Sequence, residues 1–209
     1  ETKADLGIAH DGDGDRMVAV DERGQFISGD RLLVIFARDL GVNEIVTTVD
    51  ASMVVEDIGF KTSRTRVGDS FVSRELKGGA GFGGEPCGAW VFPHISLCPD
   101  GVYAAARICA IARKQKLSEL SQNIPQFPII RTAIAADGIS VSQLKRRLEA
   151  LEPQSVAETD GLKLNFSDGW LLVRPSGTEP LIRITVEAKD EARAQKLCNE
   201  AQRLIMEGR

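Results

Sequence analysis

The sequence predicts an α/β domain followed by a small α+β domain, and three observations lead to this fold class. Strand and helix patterns alternate over residues 44–114. Residues 115–128 are then polar and contain Pro125 and Pro128, which suits a linker. Beyond this segment, strand and helix patterns follow one another without regular alternation. We therefore expect a domain boundary near residue 122 and a smaller domain after it.

The first elements are a strand, an acidic loop, a hairpin and a capped helix. They are strands over residues 4–9, 17–20 and 25–27 and a helix over residues 29–40. Ser28 can cap this helix, because its hydroxyl accepts a hydrogen bond from a free backbone N–H of the first turn. Gly41 suits the left-handed position that commonly ends a helix. The limits of this helix are therefore predicted at both ends.

The remaining elements are predicted from the helical and strand periodicities of the apolar residues. In the first domain they are strands over residues 44–49 and 60–67, helices over residues 51–58, 69–77 and 100–114, and a glycine-rich loop with a short strand over residues 81–93. In the second they are strands over residues 128–135, 155–158, 162–173 and 181–188, a helix over residues 140–151 and a final helix.

Composition excludes several classes of function. The sequence is 43% hydrophobic and 27% charged, as is ordinary for a globular protein, and it has no apolar run near the ~20 residues that a membrane helix needs. The net charge is −4 and the basic residues are scattered, so we expect neither nucleic acid nor a membrane as a partner. The four cysteines form no CxxC pair, which favours a reduced, cytoplasmic setting. Because the chain begins at Glu1 without Met, we also expect a piece of a longer protein.

The acidic segment at residues 11–16, DGDGDR, predicts a metal site. Asp11, Asp13 and Asp15 alternate with glycines, so a near-extended loop can turn all three carboxylates toward one point. Mg²⁺ bound by hard oxygens would relieve their mutual repulsion, and Arg16 would balance the charge of a substrate phosphate. The structural alternative is a solvated acidic turn.

Two other sites share parts of this pattern. Asp11, Asp13, Asp15 and Glu22 have the spacing of calcium ligands in an EF-hand, but Arg16 stands where that loop requires glycine. An aspartyl-nucleophile sugar phosphatase also presents DxD after a strand, although Arg16 replaces the hydroxyl residue expected there. A phosphatase is therefore the weaker enzyme alternative. A non-catalytic module that binds a phosphosugar is a further reading.

Two later loops have the chemistry of sugar and phosphate binding. Glu85 lies in the glycine-rich GEPCG segment, which we expect to be exposed, and could accept hydrogen bonds from neighbouring sugar hydroxyls or only pair within a turn. In the RPSGTEP segment, Arg174, Ser176, Gly177 and Thr178 combine a guanidinium, two hydroxyls and a glycine N–H, as a phosphate requires. Arg183 on the next strand could reach the same anion. The alternative is a tight hairpin with incidental hydroxyls.

These three motifs, in this order, resemble those of the α-D-phosphohexomutase family, which contains phosphoglucomutases, phosphomannomutases and phosphoglucosamine mutases. The resemblance covers almost the whole chain. It implies the end of domain 2 with the metal loop at residues 1–21, a three-layer α/β/α domain 3 at residues 22–121, and a TBP-like domain 4 at residues 122–209.

The resemblance also implies a reaction and a role for each residue. Family enzymes pass a phosphoryl group from a phosphoserine to a sugar monophosphate, form a sugar bisphosphate, and so interconvert hexose or hexosamine 1-phosphates and 6-phosphates. Asp11, Asp13 and Asp15 would bind Mg²⁺, Arg16 would lie beside the phosphoserine, and Asp69 matches an acid/base position. Glu85 and Cys87 would contact sugar hydroxyls. Arg174, Ser176, Gly177 and Thr178 would hold the phosphate that is not transferred.

The sequence departs from the family pattern in three places. Cys87 stands where serine is common, and Ala89 where several branches have histidine, so altered sugar contacts are expected. No TxSHNP-like serine segment occurs in these residues. We therefore expect the serine in N-terminal domains of a longer parent protein, and the chain alone to be inactive.

Overall fold

The computed structural model describes residues 3–135, 138–176 and 180–207. By internal contacts the chain divides into two compact units, Glu1–Pro125 and Gln126–Arg209. Among the described residues, no helix is long and apolar enough to cross a membrane. The first unit has two sheets and the second has one, each unit has its own helices, and each is therefore described by itself.

Over residues 3–125, the first unit contains seven strands and five helices. The strands are β1 (Gly7–His10), β2 (Met17–Val20), β3 (Phe26–Ile27), β4 (Glu44–Thr48), β5 (Lys61–Thr65), β6 (Phe82–Gly84) and β7 (Trp90–Val91). The helices are α1 (Gly29–Leu40), α2 (Val54–Asp57), α3 (Asp69–Leu76), α4 (Gly101–Ala112) and α5 (Leu117–Gln122). Strands β1, β2 and β3 form an antiparallel sheet in that order. A second sheet has the order β5-β4-β6-β7 and is parallel except for the pair β6–β7.

Helices cover both faces of this second sheet. The ring of Phe82 packs edge-on against Phe36 of α1, with 5.9 Å between the ring centroids. At the next residue, a Cβ added to Gly83 would lie 3.1 Å from both Val72 and Leu76 of α3. Because successive residues of a strand face opposite sides of the sheet, α1 and α3 lie on opposite faces. The predicted three-layer α/β/α arrangement is confirmed.

Helix α1 begins and ends where the sequence predicts. The Ser28 hydroxyl accepts a hydrogen bond from the backbone N–H of Arg31 at 3.4 Å. Gly41 has a φ of 68°, and its N–H donates back to the carbonyl of Arg38 at 3.1 Å. Both devices satisfy backbone groups that have no partner within the helix.

The predicted linker at residues 115–128 is partly wrong, because it contains helix α5 (Leu117–Gln122). The side chains of Leu117 and Ile124 are fully buried. The carboxylate of Glu22, in the turn between β2 and β3, accepts hydrogen bonds from the backbone N–H of Ser118 at 3.3 Å and from its hydroxyl at 2.5 Å. Helix α5 was not predicted, because the segment is mostly polar and only a few of its residues anchor the helix. The Glu22 carboxylate is thus hydrogen-bonded to α5 and is not a ligand of an EF-hand.

In its described residues, the second unit has a five-stranded antiparallel sheet, two α-helices and a short 3₁₀ helix (Glu149–Leu151). Its elements are β8 (Ile129–Ala135), α6 (Val141–Leu148), β9 (Ser155–Ala157), β10 (Leu162–Phe166), β11 (Gly169–Pro175), β12 (Leu181–Ala188) and α7 (Glu191–Glu207). The strand order is β8-β12-β11-β10-β9. One buried core joins α6 and α7 to the sheet, and its members include Leu144, Leu148, Leu171, Ile184, Leu197 and Ile205. The small α+β domain is confirmed.

The single strand predicted over residues 162–173 is wrong, because the structure has two strands there. Strands β10 and β11 pair antiparallel across a turn at residues 167–168, with Leu164 opposite Leu171. The turn residues Ser167 and Asp168 favour a reversal, and Gly169 follows them. The apolar alternation on both sides of this short turn made the pattern look continuous.

Candidate functional site

The acidic loop at residues 11–16 is the loop of a β-hairpin. Strands β1 and β2 pair antiparallel up to His10 and Met17, so the loop projects from one end of the small sheet. One oxygen from each of Asp11, Asp13 and Asp15 can be chosen so that these atoms lie within 4.8 Å of one another. The predicted convergence of the three carboxylates is therefore present in the structure.

Arg16 pairs with the first of these carboxylates. Its backbone N–H donates to Asp11 Oδ1 at 3.2 Å, its guanidinium contacts Asp11 Oδ2, and its Nε lies 3.8 Å from Asp15 Oδ1. Desolvation opposes ionisation of Asp11, but the hydrogen bonds and the charge of Arg16 outweigh it and lower the pKa of Asp11. Desolvation raises the pKa of Asp15, and the charges of Asp13 and Asp11 raise it further. Arg16 offsets only part of the repulsion among the three carboxylates, and this remaining repulsion and the all-oxygen donor set fit a divalent cation such as Mg²⁺.

The acidic loop is tied to the loop that contains Glu85. The backbone N–H of Met17 donates to the carbonyl of Gly88 at 3.0 Å, and the indole N–H of Trp90 donates to the carbonyl of Met17 at 2.9 Å. Arg16 also forms an isolated antiparallel bridge with Ala89. Gly88 has a φ of 105°, and a Cβ there would lie 2.8 Å from the Met17 oxygen. Hydrogen bonds and a close backbone approach thus fix the acidic loop and the loop that contains Glu85 against each other.

The start of helix α4 closes another side of the acidic loop. A Cβ on Gly101 would lie 2.5 Å from the carbonyl oxygen of Gly14 and 3.0 Å from that of Arg16. His10 Nε2 lies 3.0 Å from the carbonyl oxygen of Gly101. Asp100 caps α4 by accepting from the backbone N–H of Tyr103 at 2.7 Å. The position of the loop therefore depends on a glycine outside it.

Glu85 is buried, which corrects the expectation that its segment is exposed. Only 6% of the residue is accessible, and its Oε2 accepts a hydrogen bond from the backbone N–H of Gly68 at 2.9 Å. Burial raises the pKa of Glu85, the Gly68 hydrogen bond opposes that rise, and the charges of Asp50 and Asp69 add to it. Glu85 thus anchors the start of α3 and cannot be read as a freely solvated acid.

The other predicted residues of this region are more accessible. Cys87 is exposed as a residue, yet local desolvation raises the pKa of its thiol, which therefore stays protonated at neutral pH and can donate. Asp69 is the exposed first residue of α3, and its charge contributes to the raised pKa values of both Asp15 and Glu85. Asp69 and Asp15 also line an open pocket of about 600 Å³, together with Ser70, Arg74 and Lys77.

Sequence reasoning missed two members of this site. Asp50 follows β4 and accepts a hydrogen bond from the hydroxyl of Thr48 at 2.6 Å, and its charge acts on both Glu85 and Cys87. Gly68 supplies the backbone N–H that holds Glu85. The position of Asp50 at the carboxyl end of a parallel strand was the available signal, because ligands of α/β sheets bind at that edge.

In the second unit, Arg174 and Arg183 are directly opposite each other on β11 and β12. Directly opposed residues share a face of the sheet, so both guanidinium groups can approach one anion. The loop between the strands is closed by a hydrogen bond from the backbone N–H of Ser176 to the carbonyl of Leu181 at 2.9 Å. Gly177 and Thr178, predicted to bind the same phosphate, lie outside the described residues.

Two family models match the chain. Residues 28–127 match phosphoglucomutase/phosphomannomutase, alpha/beta/alpha domain III, and residues 112–204 match the C-terminal domain of phosphoglucomutase/phosphomannomutase. The acidic loop at residues 11–16 precedes both matched ranges. A role for this loop is therefore supported by its own geometry and by individual relatives that match a longer part of the chain.

Similar curated proteins include two archaeal proteins named probable phosphoglucosamine mutase. The one from Methanocella arvoryzae is 45% identical over 209 residues, which is 97% of this chain and 48% of the relative. The one from Methanosarcina acetivorans is 47% identical over 212 residues, with 95% of this chain and 49% of the relative covered. The chain thus spans about half the length of the curated relatives it matches.

Solved structures show the same fold. A phosphoglucomutase/phosphomannomutase family protein from Burkholderia thailandensis is 29% identical with a TM-score of 0.82, covering 98% of this chain and 47% of that one. The N-acetylphosphoglucosamine mutase of Aspergillus fumigatus, solved with GlcNAc-6P and magnesium, is 16% identical with a TM-score of 0.70, covering 99% of this chain and 49% of that one. At that identity, the second likeness concerns the fold alone.

Proposed function

Because the chain belongs to the phosphoglucomutase/phosphomannomutase family and has its domain III and its C-terminal domain, we propose that it supplies the metal, sugar and phosphate sites of a phosphosugar mutase. The parent enzyme would be an isomerase that interconverts 1-phosphates and 6-phosphates of a hexose or hexosamine. We assign residues 1–21 to the end of domain 2, residues 22–121 to domain 3 and residues 122–209 to domain 4.

The observation that carries this proposal is the convergence of the three carboxylates of the acidic loop beside Arg16. One oxygen of each can lie within 4.8 Å of the others, and the loop is hydrogen-bonded to the segment that follows Glu85. Three carboxylates that could hold a cation, a guanidinium, and a carboxylate that could bind a sugar thereby lie in one region of the first unit. Phosphoryl transfer needs this combination, because catalysis depends mainly on positioning and on stabilising the charge of the transferring group.

In this mechanism the phosphoryl group of a phosphoserine, outside these residues, passes to the free hydroxyl of the sugar monophosphate. The resulting bisphosphate turns over, and its other phosphoryl group returns to the serine. Asp11, Asp13 and Asp15 would hold Mg²⁺, which supplies charge neutralisation at the transferring group. Arg16 would stabilise the same charge, and Asp69 would move the proton of the sugar hydroxyl.

The remaining residues would orient the substrate. Glu85 would accept from sugar hydroxyls with the oxygen lone pairs that Gly68 leaves free, and the Cys87 thiol would donate. Arg174, Ser176, Gly177, Thr178 and Arg183 would hold the phosphate that is not transferred. The relatives named phosphoglucosamine mutase favour an amino-sugar phosphate as substrate. The three carboxylates of the acidic loop favour Mg²⁺ as the metal, because Mg²⁺ prefers oxygen ligands.

A turnover assay tests the serine-dependent mechanism. The purified chain is incubated with Mg²⁺, a catalytic amount of sugar bisphosphate, and the 1-phosphate of glucose, mannose or glucosamine. We expect no formation of the 6-phosphate, because no serine segment of the family type occurs in these residues. Robust mutase turnover by the chain would contradict the mechanism. Phosphate release that is lost in Asp11→Asn would instead favour the phosphatase alternative.

A further inference from the structure

The opposed arginines of the second unit create an electrostatic problem of their own. Arg174 and Arg183 occupy directly opposite positions in adjacent strands, where like charges destabilise the pair. A long side chain in such a position also has many rotamers, which a ligand must restrict at an entropic cost. A group that holds one guanidinium in place would reduce both costs before any phosphate binds.

Asp160 has the geometry of such a group. It lies in the turn between β9 and β10, and its Oδ2 is 3.0 Å from Nη2 of Arg174. Its side chain is only 12% exposed, whereas that of Arg174 is 34% exposed. A guanidinium carries five N–H donors, so contact with one carboxylate leaves donors for an anion on the exposed side.

Gly161 determines how closely this turn approaches Arg174. Its φ is 78°, and a Cβ there would lie 2.7 Å from Cγ of Arg174 and 2.5 Å from the carbonyl oxygen of Val173. A residue with a side chain would therefore be strained and would push against the stem of the arginine. The sequence Asp160-Gly161 thus combines a counter-charge with the space that the arginine stem needs.

We propose that Asp160 is a positioning residue that preorganises Arg174 for a phosphate, with Gly161 allowing the close approach. This inference rests on the proposed phosphate-binding role of Arg174. Asp160 does not touch the phosphate itself. It fixes the guanidinium that does, so the affinity for a phosphosugar falls when the carboxylate is removed.

Calorimetric titration of the chain with glucosamine 6-phosphate tests the inference. We expect Asp160→Asn to weaken binding about fivefold to tenfold, as loss of a charge-assisted contact behind a ligand group would. Asp160→Glu should recover part of the affinity. The matched control is Asp168→Asn, which removes the partner of Arg193 at 2.9 Å in the same unit and should leave binding unchanged.

A third variant separates failure of the inference from failure of the proposed function. If Arg174→Ala binds glucosamine 6-phosphate as tightly as the unaltered chain, the phosphate role of the loop is wrong. If Arg174→Ala weakens binding but Asp160→Asn leaves it unchanged or tighter, only the positioning role is wrong. Independently of any variant, the Nη2 protons of Arg174 should show slow rotation about the Cζ–Nη2 bond without ligand, because Nη2 is the atom that contacts Asp160. A rapidly averaged resonance would contradict preorganisation.

Discussion

At the scale of single residues, Arg16 decides how the acidic loop behaves without a substrate. Its backbone N–H and guanidinium engage both oxygens of Asp11, one of the three proposed metal ligands. A cation entering the loop must compete with that contact. These residues also contain no serine segment to supply a phosphate oxygen as a further ligand. Without a metal, Arg16 thus neutralises part of the negative charge of the loop, and this negative charge otherwise favours a metal.

We therefore expect the chain to bind Mg²⁺ weakly, with a dissociation constant in the millimolar range, because Mg²⁺ needs a near-complete octahedron of oxygens. Calorimetry with MgCl₂ measures this directly. Asp13→Asn should remove the remaining binding, whereas Asp5→Asn, ahead of β1, should not change it. Micromolar affinity in the unaltered chain would show that the three carboxylates suffice without a phosphate oxygen.

Glu85 makes a second residue-scale prediction, because burial raises its pKa above the usual 4.5. The folded state then holds a proton more tightly than the unfolded state, so this group costs stability as pH rises from the unfolded value through the folded one. Glu85→Gln removes the titration and keeps an oxygen for the Gly68 N–H. Urea unfolding from pH 4 to 7 should show the variant gaining stability relative to the unaltered chain as pH rises. A constant difference would contradict a raised pKa.

At the scale of elements, the sequence predicted the features that are set locally. Ser28 and Gly41 bound α1 as expected, since each acts on backbone groups within one turn. Helix α5 was missed because its stability comes from Leu117, Ile124 and the distant Glu22 rather than from its own pattern. The turn at residues 167–168 was missed because strand patterns continue on either side of it.

The site shows the same division between local and long-range information. The acidic loop and the position of Arg183 near Arg174 followed from spacing along the chain. The burial of Glu85 did not, because it depends on Gly68, seventeen positions away in sequence. Asp50 and Asp160 were missed for a similar reason, since each is recognisable only from the groups that it faces. Spacing along the chain thus predicts which charged residues lie near one another. Tertiary contacts determine which of their side chains are held in place.

The contact between α4 and the acidic loop gives a prediction at this scale. Gly101→Ala places a Cβ 2.5 Å from the backbone oxygen of Gly14, so the helix and the loop must separate. We expect a loss of about 1–3 kcal/mol in unfolding free energy, as is usual for overpacking against backbone. Gly12→Ala is the matched control, because nothing lies within 4 Å of its added Cβ. Equal stabilities of the two variants in urea would show that the contact does not constrain the loop.

At the scale of the whole molecule, the proposed site residues are divided between two units. The first unit contains the acidic loop, Glu85 and Asp69, and the second contains the opposed arginines with Asp160. Each unit has an independent core, since the members of the core around Leu171 all lie beyond residue 125. Under the proposed function, the phosphate that is not transferred would be held on a unit of its own.

This division predicts that residues 126–209 fold without the first unit. Their sheet is antiparallel and pairs strands that are mostly near neighbours in sequence, and α6 and α7 bury one face of it. Thermal unfolding of the isolated segment, followed by circular dichroism, should show one cooperative transition. Leu197→Ala, at a side chain that is 1% exposed, should lower the midpoint, whereas Lys196→Ala should change it little. The isolated segment should also bind glucosamine 6-phosphate through Arg174. A broad unfolding transition together with no binding would show that the second unit requires the first.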